Sequence, residues 1–190
     1  MYKTILFDWD GCIADTLDIW LKNYREFLKP HGFAPSDREI VHDFFGTGDA
    51  GPNKYGFDGK KFYKKLIPIV EAQMKDVKLN IPKSVLSGLL ENERQLGLVS
   101  TSNRSTIMPA FEFHNLQNLF EVVIAGNEVS KFKPDPEQIN KAMEILKAEQ
   151  SSTIIIGDTD KDILAGKNAG IKTCLFFPEV NQRFHDEQEL

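Results

Sequence analysis

The 190-residue chain is 41% hydrophobic and 27% charged, which allows one sizeable core and a small inserted unit but not two domains of ordinary size. A net charge of -5 and a pI near 5.4 offer no basic face for nucleic acid, whereas a small anionic ligand stays possible, because a few local cations and a metal can outweigh the overall sign. Cys12 and Cys174 make no disulfide framework, the first residues do not form a signal peptide, and no apolar window approaches a membrane span. The expectation is a cytoplasmic protein without a membrane partner, monomeric or, as the alternative, dimeric.

In chain order, Thr4–Phe7 reads as a short buried strand. A stretch without convincing strands follows. Leu17, Trp20, Leu21, Tyr24, Phe27 and Leu28 form a stripe at helical spacing, stopped by Pro30-His31-Gly32. Ser36-Asp37-Arg38-Glu39 has the form of a capping box opening a second helix that ends near Phe45-Gly46. A loop rich in Gly and Asn leads to a third helix from about Lys60, interrupted or kinked at Pro68. From there the rhythm changes to strands alternating with helices: a helix at Pro82–Arg94, a strand at Leu96–Val99, a helix from about Ser105, and strands at Val122–Ala125, Thr153–Ile156 and Thr173–Phe177, with a helix at Pro136–Lys147 between the first two of these three. That alternation predicts an α/β fold: a doubly wound parallel sheet, Rossmann-like, formed by residues 1–16 and 81–190, with residues 17–80 inserted as a helical cap.

Open parallel sheets bind ligands at the carboxyl ends of their strands, and here those ends carry chemistry. The first strand delivers Asp8 and Asp10, the second Ser100-Thr101-Ser102-Asn103, and the fourth Gly157-Asp158-Thr159-Asp160 and then Asp162. Between the third and fourth lies Lys131-Phe132-Lys133-Pro134-Asp135-Pro136. Converging carboxylates repel unless a cation sits between them, and a site of few carboxylates, waters and a phosphate oxygen suits Mg2+.

Asp8-Trp9-Asp10-Gly11-Cys12-Ile13-Ala14-Asp15-Thr16 resembles the first signature of the haloacid dehalogenase superfamily, DxDGxxxDT. Ser100, Lys133 in a Lys-Pro-x-Pro loop, and Gly157-Asp158-x-x-x-Asp162 match the later elements in order, over about Lys3 to Phe177. The resemblance is to the branch of phosphoglycolate phosphatases and β-phosphoglucomutases with a small helical cap. It implies a phosphatase acting on a small phosphorylated metabolite, with Asp8 as the nucleophile that forms an aspartyl-phosphate and Asp10 as general acid and base. It further implies Mg2+ held by Asp8, Asp158 and the Asp10 backbone carbonyl, phosphate binding by Ser100, Thr101 and Lys133, and Asp162 orienting Lys133 or a metal-bound water.

Asp10 speaks against a dehalogenase, whose departing halide needs no proton. Mutases of this kind usually carry a histidine four residues after the signature threonine; here that position is Trp20, which disfavours a mutase. A phosphonatase needs a Schiff-base lysine in the insertion, and nothing selects among Lys22, Lys29 and Lys54. A receiver-type phosphoacceptor domain would place its acceptor after a middle strand of the sequence, and Asp8 follows the first. The substrate-facing loop is expected near Phe45-Gly46-Thr47-Gly48, with Asn53, Lys54 and Tyr55 as candidate contacts. The lysines 60, 61, 64 and 65 read as a solvated helix face, and His31, His42, His114 and His185 share no ligand spacing.

Overall fold

The computed structural model describes residues 2–181, so His185 and the rest of the chain's end lie outside the described residues. Five strands form one all-parallel sheet: β1 (Thr4–Phe7), β2 (Gln95–Val99), β3 (Val122–Ile124), β4 (Thr153–Gly157) and β5 (Lys172–Leu175). Their order is β3-β2-β1-β4-β5. The winding therefore reverses between β1 and β4, which opens a crevice at their carboxyl ends.

Alternation along β1 divides the core. Ile5 and Phe7 join Leu96 and Leu98 on one face of the sheet, whereas Leu6 joins Val99 and Ile155 on the other. The second face is covered by helices α7 (Glu137–Leu146) and α8 (Asp160–Asn168), through Ile139, Ala142, Met143 and Ala165. Helices α5 (Lys83–Glu91) and α6 (Arg104–Phe113) bring Leu86, Ile107, Ala110 and Phe111 to the first face.

Between β1 and α5 stand four helices: α1 (Leu17–Leu28), α2 (Asp37–Phe44), α3 (Ala50–Lys54) and α4 (Gly59–Glu71). The Ser36 capping box is present, with the Ser36 side chain accepting from the Glu39 N–H and the Glu39 carboxylate from the Ser36 N–H. Two features differ from the sequence expectation. Ala50–Lys54 is a short helix within the Gly- and Asn-rich loop, and α4 runs through Pro68 to Glu71. Proline removes a single ladder donor, and the ladder resumes beyond it where the Ala72 N–H donates to the Pro68 carbonyl. Leu66 and Val70, buried on either side, keep that turn packed.

Leu21, Tyr24, Phe44, Phe62 and Leu66 of these helices belong to the same buried apolar cluster as Phe7, Trp9 and Leu98. The two ends of the inserted stretch are paired: Asp15 N–H donates to the Lys78 carbonyl and Asn80 N–H to the Ile13 carbonyl, both at 2.9 Å. No helix among the described residues is long and apolar enough to cross a membrane.

Candidate active site

Asp8 leaves the end of β1, its N–H donating to the Ile156 carbonyl of β4. One Asp8 oxygen accepts from the Lys133 ammonium at 2.5 Å, and the same ammonium donates to Asp162 at 2.5 Å and to the Val99 carbonyl at 3.1 Å. All three side chains are buried, so this cation answers two carboxylates in a weakly screening environment. Burial pushes the Asp8 carboxyl up to about 7, against the pull of Lys133 and with the Asp162 and Asp10 charges pushing the same way. Burial alone would lower the Lys133 ammonium, yet Asp162 and Asp8 outweigh it and hold the group above the usual lysine value. Lys133 reaches this position from the loop before α7, where the Lys133–Pro134 peptide is cis.

Asp10 is fixed from three directions. Thr16 Oγ1 and Trp20 Nε1 donate to its Oδ1 at 2.6 and 2.8 Å, and Ser102 Oγ donates to its Oδ2 at 2.5 Å. The structure thus brings Asp8, Asp10, Lys133, Asp158 and Asp162 to one crevice. Thr101 lines it as well, whereas Ser100 is buried just behind, its Oγ accepting from the Ser102 N–H and its carbonyl from the buried Gln138 amide.

The donor set fits a hard cation. Carboxylate oxygens of Asp8, Asp158 and Asp162 lie within 4.8 Å of one another, all buried. Asp162 is already committed: its Oδ1 accepts from Lys133 and its Oδ2 from Thr159. Asp158 Oδ1 is buried with no hydrogen-bond partner, and burial together with Asp8 and Asp162 drives its carboxyl well above the usual range. An unpartnered buried carboxylate oxygen beside a second carboxylate is a donor available to a hard cation. The backbone makes room for this cluster: Gly11 has φ +75°, and a Cβ there would lie 2.2 Å from Asp158 Oδ2. Asn181, far along the chain, donates to the Gly11 carbonyl at 3.0 Å and to Asp158 Oδ2 at 3.1 Å.

Of the expected specificity positions, Phe45 and Gly46 line the crevice, and Thr47 and Lys54 do not. Thr47 Oγ1 turns inward to the Asp43 and Phe44 carbonyls, and the Lys54 ammonium pairs with Asp43 at 2.7 and 2.8 Å. Sequence reasoning passed over Lys161, which lines the crevice and donates to the Phe45 carbonyl. It also gave no part to His42, Tyr24, Tyr63 or Phe132, which line the space between the helices and the sheet. Their signal in the sequence is the same as that of core aromatics, and only the fold separates the two.

Residues 5–176 match the family model of the haloacid dehalogenase-like hydrolases. The chain belongs to that family. This hydrolase is 33% identical to a protein named pyrophosphatase PpaX from Listeria monocytogenes over 186 residues, covering 90% of the chain and 81% of that relative. A structure titled putative phosphoglycolate phosphatase from Lactobacillus plantarum superposes with a TM-score of 0.82 at 20% identity, over 92% of this chain and 86% of that one. For β-phosphoglucomutase from Clostridium difficile the TM-score is 0.78 at 18% identity, with 97% and 88% covered. At such identities the two structures establish the fold, and the family is established by the model match and the relative.

Proposed function

We propose that this hydrolase is a Mg2+-dependent phosphatase that cleaves a small-molecule phosphate monoester through an aspartyl-phosphate on Asp8. The observation that carries the reading is the Lys133 ammonium bridging Asp8 and Asp162, with Asp10 held two residues further on at the same crevice. Asp8 attacks phosphorus, the ester P–O bond breaks, and Asp10 gives a proton to the departing alkoxide. Asp10 then takes a proton from the water that attacks the aspartyl-phosphate, releasing inorganic phosphate and restoring Asp8. Lys133 keeps Asp8 oriented and offsets charge on the phosphoryl oxygens. Asp8, Asp158 and the Asp10 carbonyl would hold Mg2+, which supplies positive charge beside the phosphoryl group. Helices α1–α4 serve as the cap that keeps bulk water from the reaction.

Trp20 supports hydrolysis over the mutase alternative. Its indole N–H donates to Asp10 and has no lone pair with which to accept or relay a proton, unlike the histidine expected of a mutase. The test is hydrolysis of p-nitrophenyl phosphate with Mg2+ by the wild type and by Asp8→Asn. Turnover lost in the variant is the expected result, and absence of Asp8-dependent turnover with any phosphate ester would overturn the proposal.

A further inference from the structure

Two cavities meet at Asp10. The first, about 350 Å³, is polar: Asp8, Lys133 and Asp162 line it, together with His42 and Lys161. The second, about 310 Å³, is walled by Trp20, Tyr24, Phe44, Tyr63, Phe132 and Ile67. Asp10, Phe45, Gly46 and Thr101 border both. On the phosphatase reading, the phosphoryl group occupies the polar cavity beside Asp8, and the leaving oxygen departs on the side from which Asp10 delivers its proton. Asp10 borders both cavities, and of the three groups that donate to its carboxylate, Thr16 lines neither, whereas Trp20 and Ser102 line the second cavity and not the first. The leaving group therefore enters the aromatic cavity.

That cavity selects against negative charge. Among the described residues no lysine, arginine or histidine lines it, and the charged side chains that do are Asp10 and the exposed Asp49. A carboxylate or a second phosphoryl group placed there would face two acids and the electron-rich faces of aromatic rings. A flat ring finds stacking surface instead, and the volume suits a group of one or two rings. We propose that the substrate is a phosphate monoester whose leaving alcohol is a planar aromatic or heteroaromatic group without negative charge, seated between the cap and Phe132.

The proposal rests on the phosphatase reading, and the experiment separates the two. It compares kcat/KM with Mg2+ for benzyl phosphate, ethyl phosphate, 4-carboxybenzyl phosphate, phosphoglycolate and pyrophosphate. Benzyl and ethyl esters are both alkyl phosphates, so their ratio reports the ring more than the leaving-group chemistry. Benzyl phosphate is expected to exceed ethyl phosphate by about tenfold, the size of one stacking interaction, and to exceed the three charged compounds by at least about as much. Phe132→Leu, which keeps an apolar side chain but removes the ring, is expected to reduce the benzyl-to-ethyl ratio by about fivefold, chiefly through KM for the benzyl ester. Tyr63→Leu, in the lining of the same cavity, gives an independent reading of the same ratio. Asp8-dependent turnover that favours phosphoglycolate would overturn this inference and leave the phosphatase reading standing, and turnover that favours pyrophosphate would overturn it and leave standing only the aspartyl-phosphate chemistry of that reading. In either case the leaving group would lie on the polar side, near Lys161. A benzyl-to-ethyl ratio near one, or one unchanged in both variants, would overturn it equally, and no Asp8-dependent turnover on any ester would remove both readings together.

Discussion

Lys133 concentrates the electrostatics of the crevice in one ammonium group. Replacing it with alanine leaves Asp8 and Asp162 buried without their shared counter-charge, a situation that typically costs about 3–5 kcal/mol. Lys133→Ala is therefore expected to lower the urea midpoint markedly and to reduce kcat by at least about 10³-fold. A variant with near-normal stability and turnover would show that the two acids do not depend on it. Trp20→Phe is a finer cut, because it keeps a ring in the wall and removes only the N–H that Asp10 Oδ1 accepts. The expectation is a loss of about tenfold in kcat with KM changed little, as follows when a general acid is less well aimed. The side chains that meet in the crevice were legible before any coordinates, because Asp8, Asp10 and Asp158 come at the ends of apolar runs and Lys133 stands in a loop marked by prolines. The Trp20 contact was not: a tryptophan in an amphipathic stripe reads as core, and its polar edge gains meaning only once α1 is set against the end of β1.

Helix α2 and the turn after it depend on a different carboxylate. Asp43 is buried and accepts from Lys54, Tyr55 and His42. Burial pushes its carboxyl up, but hydrogen bonds from Lys54, His42 and Tyr55 prevail and bring it down to about 2, from an ordinary 3.8. A carboxylate with a depressed folded-state value stabilises the fold at pH above its ordinary value. That stabilisation is lost as pH falls from 3.8 towards 2. Asp43→Asn is thus expected to cost about 2 kcal/mol at pH 7, and the difference from wild type should shrink when chemical denaturation is repeated at progressively lower pH across that window. A difference that is the same at pH 2 and pH 7 would rule this account out. At the start of the same helix, Ser36→Ala removes an exposed cap and should cost about 1 kcal/mol, read from the same denaturation curves. The capping box was visible as four consecutive letters, since capping is local chemistry. Lys54 instead suggested a substrate contact, because nothing near it in sequence reveals that Asp43, eleven positions earlier, would claim its charge.

The inserted helices and the sheet share one apolar cluster, so the molecule is expected to unfold as one unit. Trp9 sits beside the sheet and Trp20 in α1, and these are the two tryptophans of the chain. Fluorescence of Trp9→Phe and Trp20→Phe should give urea transitions whose widths are set by the same global event, each coinciding with the loss of helical circular dichroism measured on the same variant. Leu21→Ala, in the inserted part, should lower the stability seen by both reporters by about 2–5 kcal/mol. In Trp9→Phe, a Trp20 transition that precedes the main loss of helical circular dichroism would show that the helices melt separately. The alternating strands and helices announced the parallel sheet, and the lack of strand patterns between 17 and 80 agrees with the helices found there. What stayed hidden was that Phe44, Tyr63 and Phe132 would line one cavity, because proximity between distant segments is set by the sheet order and leaves no periodicity in the chain.

Asn181 ties the far end of the described chain to its beginning. Its amide bridges the Gly11 carbonyl and Asp158, so a side chain 170 positions from the first signature helps to fix a carboxylate that, on the proposed reading, would hold Mg2+. The covalent order of the chain thus closes into a loop at the reaction centre. A lesion at that distant position, even one that leaves the helices and sheet intact, should be felt as weaker retention of Mg2+, so a titration of Asn181→Ala with the metal would measure how firmly the knot is tied.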